Sequence, residues 1–346
     1  MKENVRVIIW GPGAMGGGMA KMLLKKKGVE IVGAIGNRSK GKDFYQHIGA
    51  EQGNNPDLII GSAEDVIKPG AADIVMLATD SFTKASFPKM KTILENKMNC
   101  ITTAEEMAYP KAQTPELAEE LDRLAKENGV TILGTGINPG LIMDLLVVMW
   151  TGCMEEVEEI TSRRVNSLSP FGELVMHEQG VGITVEEFNE RKAAGKMTGH
   201  VGFAESVQMI ADGIGWKLDK FEQDMEPIVT DVDRKSSHGF AKAGNLAGVN
   251  MTAEGYVDGV ARIHMQHPQQ IEPEQVGINT GDYVTIKGSP NVNMANSPEI
   301  EGGIGTYAMC VNMIPHVINS RPGLKTMLDL PCPRAIMGDM RDLIEE

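Results

Sequence analysis

The chain reads as a doubly wound α/β fold followed by an α+β domain, and three observations carry that reading. Val5–Trp10 (VRVIIW) is a β-rich run typical of a strand buried in a parallel sheet, and it leads straight into Gly11-Pro12-Gly13-Ala14-Met15-Gly16. Strand and helix signals then alternate as far as Leu133. Between Gly134 and Gly140 (GTGINPG) the alternation stops. A chain of 346 residues exceeds one ordinary core and suits two domains, 1–137 and 138–346.

The elements follow in order. Residues 19–27 read as a helix with basic residues in its last turn and Gly28 as its stop. Residues 30–35 (EIVGAI) form a second strand, which completes a βαβ unit. A weak strand over 57–60, a short helix over 63–67, a strand over 73–78 and a helix over 82–96 continue the alternation. Asn99–Thr102 is a strand, Pro115–Asn128 a strongly amphipathic helix with Gly129 after it, and 130–133 a further strand. Beyond the boundary, 155–165 reads as a strand, and 184–195 and Phe203–Ile214 as helices. Residues 225–234, 255–267 and 282–287 read as antiparallel strands, and 305–319 as a last amphipathic helix able to pack back on the first domain.

Composition narrows the function. A net charge of -14 argues against nucleic acid, which demands a basic face. The longest apolar run, 140–150, is interrupted by Asp144 and is too short to span a bilayer. Cys100, Cys153, Cys310 and Cys332 lie far apart with no CxxC pair, which points to reduced thiols rather than a disulfide framework or structural zinc. The chain opens on Met-Lys-Glu and a strand, without a leader pattern, so a cytoplasmic location is expected. His264 and His267 lack acidic or thiol partners at ligand spacing, and no metal is expected.

The segment Gly11–Gly16 fits GxGxxG between a strand and a helix, the context in which that motif binds a dinucleotide. Gly11 permits the tight turn, Gly13 leaves room for the pyrophosphate, and Gly16 allows close helix–sheet packing. Ala14 and Met15 open the helix whose N-terminus faces the phosphates. This is the Rossmann arrangement. The second strand ends in Gly36-Asn37-Arg38-Ser39, with no acid for a ribose 2′-hydroxyl. A cation and a hydroxyl stand there instead, as a 2′-phosphate requires. NADP or NAD is therefore the expected cofactor, with NADP preferred. Thr79 and Asn138, at later strand ends, join the cofactor contacts.

Glu105 and Glu106 follow the strand Asn99–Thr102. A carboxylate there is suited to hold an ammonium, accept its proton and activate water against an iminium. Spacing alone does not choose between the two. Arg164, Asn166, Ser167 and Phe171 lie in a polar stretch beyond the boundary, where an arginine is the natural bidentate partner of a substrate carboxylate. His200 and Phe203 stand at a helix start as further substrate contacts.

Longer matches then identify a family. Residues 10–24 (WGPGAMGGGMAKMLL), 77–84 (LATDSFTK), 101–110 (ITTAEEMAYP), 134–146 (GTGINPGLIMDLL), 164–172 (RVNSLSPFG), 225–229 (MEPIV), 267–274 (HPQQIEPE) and 312–339 make the chain resemble the 2,4-diaminopentanoate dehydrogenases of anaerobic ornithine breakdown. It is also similar to amine dehydrogenases and, more distantly, to the N-terminal domain of dihydrodipicolinate reductase. The resemblance implies a homodimer that deaminates a small diamino acid oxidatively with NAD(P), and a glutamate of the TTAEE-type segment that holds the reacting amine. It also implies a pocket that includes Arg164, Asn166, Phe171, His200 and Phe203. The rivals are a simpler amine dehydrogenase or imine reductase, and a non-catalytic NAD(P) sensor.

Overall fold

The computed structural model describes residues 3–53 and 55–345. The chain divides into two compact units, one running up to Leu141 and resuming at Gly302, the other spanning Ile142–Glu301. The C-terminal segment thus lies with the first unit; the sequence reading counts it in a domain 138–346 while allowing its last helix to pack back on the first.

The first unit alternates β1 (Val5–Trp10), α1 (Ala14–Leu23), β2 (Val29–Ile35), α2 (Phe44–Ile48), α3 (Ala63–Val66), β3 (Ile74–Leu77), α4 (Thr83–Glu95), β4 (Asn99–Thr102), α5 (Pro115–Asn128) and β5 (Thr131–Gly134). The second unit contains α6 (Leu145–Thr151), β6 (Glu156–Ser167), α7 (Glu173–Glu178), α8 (Val185–Ala193), α9 (Phe203–Ile214), β7 (Lys220–Val229), β8 (Arg234–Lys235), β9 (Phe240–Ala241), β10 (Leu246–Val257), β11 (Val260–Gln270), β12 (Gly281–Ser289) and β13 (Val292–Asn296). The chain then returns to the first unit through α10 (Gly302–Asn312), α11 (Ile314–Ile318) and β14 (Gly323–Lys325).

The first sheet has the order β14-β5-β4-β3-β1-β2, with every pairing parallel. The carboxyl ends of its strands therefore fall on one edge, where α/β folds bind ligands. Continuous apolar strands and one-sided helices bury Ile8, Leu77, Met90, Ile93, Leu121 and Ile132 in a common core. The second sheet runs β13-β12-β6-β11-β10-β7. The strands expected to be antiparallel pair so, β7 with β10, β10 with β11 and β12 with β6 and β13, and the unanticipated parallel pair is β6 with β11. Helix α9 packs on β7, β10 and α6.

Other boundaries moved for identifiable reasons. Helix α1 begins at Ala14, five residues before the expected start, although Gly16, Gly17 and Gly18 are poor helix formers. Tertiary contact overrides propensity here. A Cβ on Gly16 would lie 2.1 Å from the Gly11 carbonyl oxygen, and one on Gly18 would lie 2.4 Å from the Tyr307 ring of α10. Residues 255–267, expected as one strand, span a hairpin. Asp258 (φ 52°) and Gly259 (φ 74°) make the turn between β10 and β11, the Asp-Gly pair favoured in two-residue loops. Residues 57–60 provide only isolated bridges, and the helix expected over 305–319 breaks at Met313, just before Pro315.

Candidate active site

In the first unit the nucleotide loop is built by close approaches. Gly11 has φ 94°, and a Cβ there would meet the Ala78 carbonyl oxygen at 2.3 Å. Its backbone N–H donates to the Ile35 carbonyl at 2.9 Å, tying the ends of β1 and β2 together. Gly13 differs, since nothing stands within 4 Å of a Cβ built on it. The space over Gly13 is open, and Ala14 and Met15 begin α1 directly after it. Pro12, Gly13 and Ala14 border a cavity of about 460 Å³ that runs along α1 past Lys21 and His47. A ten-residue helix whose first turn carries no acid and whose entry is clear of side chains fits a pyrophosphate.

The turn after β2 presents Asn37 and Arg38 to solvent, but Ser39 is buried against Gly36. Burial leaves Arg38 as the better placed of the two groups expected to meet a 2′-phosphate. Exposed Thr79 donates to Asp80 at 2.9 Å and accepts from Lys89 Nζ at 2.9 Å, and Asp80 and Lys89 form an ion pair. Asn138 is half-buried and precedes a cis peptide to Pro139. Next to it, the Ile137 N–H donates to Thr306 Oγ1 of α10 at 3.3 Å, so the returning helix holds this strand end.

The two adjacent acids fall out differently. Residues Glu105–Ala108 form a single 3₁₀ turn at the carboxyl end of β4. Only glycine at 134 permits it, because a Cβ there would lie 2.2 Å from the Met107 carbonyl. Glu106 points back to α4, where its Oε2 accepts the Thr83 N–H at 2.7 Å, and its own N–H donates to the Ser81 carbonyl at 3.2 Å. A carboxylate on the first N–H of a helix is in its favoured electrostatic position. Glu105 begins the turn and is half-buried at the same sheet edge.

In the second unit Arg164, expected as a carboxylate clamp, is engaged by partners within the fold. It is 2% exposed, forms an ion pair with fully buried Asp282 directly across β6 and β12, and donates to the Ile300 carbonyl at 2.5 Å. A buried cation requires such compensation, and the pair satisfies it. Ser167 is likewise engaged in structure: its N–H donates to Glu299 at 3.1 Å and its Oγ accepts from the Ser169 N–H at 3.2 Å. Phe171 packs on a small satellite core of Leu168, Met176, Ala241, Ala247 and Ile271.

Asn166, His200 and Phe203 do come together, around a residue that sequence reading had set aside. His267 Nε2 lies 2.9 Å from Asn166 Oδ1. The His267 ring meets the His200 ring edge-on at 4.7 Å and stacks on Phe203 at 6.3 Å. Burial pushes His200 down to about 3, with the nearby Arg164 charge acting in the same direction. Burial, then His200 and Arg164, hold His267 well below the ordinary imidazole range. Both rings are therefore neutral at physiological pH. The missed signal was in β11, whose inward positions are Ile263, Met265, His267 and Gln269. Two polar residues replace apolar ones at the end of a regular alternation.

Gly13→Val separates binding from folding. Its Cβ enters open space, so the variant should unfold within about 0.5 kcal/mol of the parent, while NAD(P) affinity falls by about tenfold or more. Fluorescence titration and urea denaturation read the two effects, and unimpaired cofactor affinity would contradict the assignment of this loop.

Comparison with known proteins agrees with this geometry. The 2,4-diaminopentanoate dehydrogenase C-terminal domain model matches residues 141–346. A 2,4-diaminopentanoate dehydrogenase from Acetoanaerobium sticklandii is 68% identical over 346 residues, covering 99% of this chain and 98% of the relative. The solved amine dehydrogenase of Mycobacterium smegmatis superposes with a TM-score of 0.86 at 25% identity, over 97% of this chain and 98% of that one. A Synechocystis biliverdin reductase, solved with biliverdin and NADP+, shares the fold at a TM-score of 0.53 and 14% identity, over 90% of this chain and 89% of that one. The chain belongs to the 2,4-diaminopentanoate dehydrogenase family and is an NAD(P)-dependent oxidoreductase acting on an amino group.

Proposed function

We propose that this protein oxidises 2,4-diaminopentanoate to 2-amino-4-oxopentanoate and ammonia, as a step of ornithine degradation, with Glu105 as the catalytic carboxylate. The observation that carries the reading is the division between the adjacent acids. Glu106 is committed to the start of α4, and Glu105 opens the turn at the carboxyl end of β4. Gly11, Gly13, Ala14, Met15 and Gly16 hold the pyrophosphate, and Asn37 and Arg38 meet the ribose end, with NADP preferred. Bound there, NAD(P) supplies the acceptor for a hydride from C4.

Glu105 takes a proton from the C4 ammonium, so that the nitrogen lone pair forms the C=N bond as the C4–H bond breaks. Glu105 passes that proton to solvent, draws one from water as its oxygen adds to C4, and returns it to the amine nitrogen. Collapse of that adduct breaks the C–N bond and releases ammonium. In sum, substrate, oxidised cofactor and water yield ketone, ammonium, reduced cofactor and one proton. Recognition of the amino-acid end falls to the second unit, through Asn166, His200, Phe203 and His267 rather than Arg164. Buried Cys100 and Cys310 and the unpaired state of all four cysteines fit a reducing cytoplasm. A homodimer is what the family resemblance implies.

Glu105→Gln should lower kcat by about 100-fold or more, whereas Glu106→Gln should keep turnover and lose about 0.3–1 kcal/mol of stability. The reverse pattern in steady-state assays would move the catalytic role to Glu106. Arg38→Ala should raise KM for NADP by about tenfold and leave NAD little changed, and equal losses would reject 2′-phosphate recognition. Light scattering should return twice the 37.5 kDa chain mass, and a monomer at micromolar concentration would overturn the dimer.

A further inference from the structure

Two buried acceptors stand side by side on β11 with no donor. His267 Nδ1 and Gln269 Oε1 are both shielded from solvent and lack a hydrogen-bond partner among the described residues. The parent side chains are 2% and 7% exposed. They are two residues apart on one strand, so they share the face on which Phe203 of α9 stacks. An acceptor stripped of water and left unpaired is costly, and two together on an otherwise well-satisfied strand call for an explanation.

The tautomer of His267 follows from its neighbour. Asn166 Nδ2 leans toward the Ser167 carbonyl at 3.4 Å, which turns Asn166 Oδ1 toward His267. Nε2 must then carry the proton, and Nδ1 presents a lone pair. The charge that acts on His267 is the Arg164 guanidinium, already paired with Asp282. A pair of neutral acceptors suits a group that has only donors. An ammonium has three N–H donors and no acceptor, whereas a carboxylate would meet the His267 lone pair head-on.

We propose that His267 and Gln269 form the subsite for the second, non-reacting ammonium of a diamino acid substrate. The assignment rests on the function proposed above and deepens it, because it identifies what separates a diamino acid from a simple amine. His200 and Phe203 frame the His267 ring, and Asn166 fixes its tautomer, so these three position the acceptor.

The test is binding to the NADPH-loaded protein, which cannot oxidise them, of two ligands that differ by one group, 2,4-diaminopentanoate and 4-aminopentanoate. His267→Phe and Gln269→Leu should each weaken the diamino ligand by about 10- to 100-fold, the scale of a hydrogen bond to a charged group. For 4-aminopentanoate, which lacks the second ammonium, the loss in each variant should be smaller by about fivefold or more. Equal losses for both ligands, or no loss, would overturn the subsite. A second measurement does not depend on a variant folding. In protein labelled with ¹⁵N-histidine, the His267 Nδ1 resonance should report an unprotonated nitrogen and shift with the diamino ligand but not with 4-aminopentanoate. A protonated Nδ1 at rest, or identical shifts with both ligands, would overturn it as well. Failure of the wild-type enzyme to turn over 2,4-diaminopentanoate would instead strike at the proposed function, which separates the two claims.

Discussion

The hydrogen bond from the Thr83 N–H to Glu106 sorts the chemistry of the first unit. Two adjacent glutamates on a short turn are equivalent by composition but not by position. One neutralises the positive end of α4 and pins the turn to the segment after β3, and this leaves its neighbour at the mouth of the sheet. The pinning depends on glycine. Gly134 admits the turn and Gly11 admits the strand end beside it, and in both cases a single methyl would strike a backbone atom. The site is therefore held by main-chain contacts that only particular residues permit.

The second unit separates structural from functional polarity in a similar way. Arg164 and Asp282 lie opposite each other on β6 and β12 and compensate one another. On the next strand, His267 and Gln269 are buried without such compensation. Energetically the first pair is closed and the second is open. An open set of buried acceptors in a protein of this family is best read as an interface to ligand.

Much of the first unit was legible from residues alone. The β1 run, the glycine spacing and the amphipathic α5 are local signals whose physical requirements coincide with the fold. The late expected start of α1 arises because three glycines argue against helix locally, and contacts with Gly11 and Tyr307 explain two of them, Gly16 and Gly18. The second unit was harder to read. Its strands pair across long separations, and β6 lies parallel to β11, an arrangement no local pattern announces. The Asp258-Gly259 turn was visible but outweighed by the apolar alternation around it. Arg164 was read as a clamp because its residue type suits carboxylates; its partner Asp282 lies 118 positions away and could not be seen in the sequence. His267 was set aside as a metal ligand without being weighed as a hydrogen-bond acceptor.

The central claim is that hydride leaves C4, the carbon bearing the reacting amine, and not C2. Oxidation of 2,4-diaminopentanoate deuterated at C4 tests this most directly, with the reduced cofactor and the product analysed by mass spectrometry. The account predicts deuterium in the reduced cofactor, a product that keeps its C2 hydrogen, and one ammonium per turnover. Reduced cofactor free of deuterium, with the label retained in the product, would contradict it.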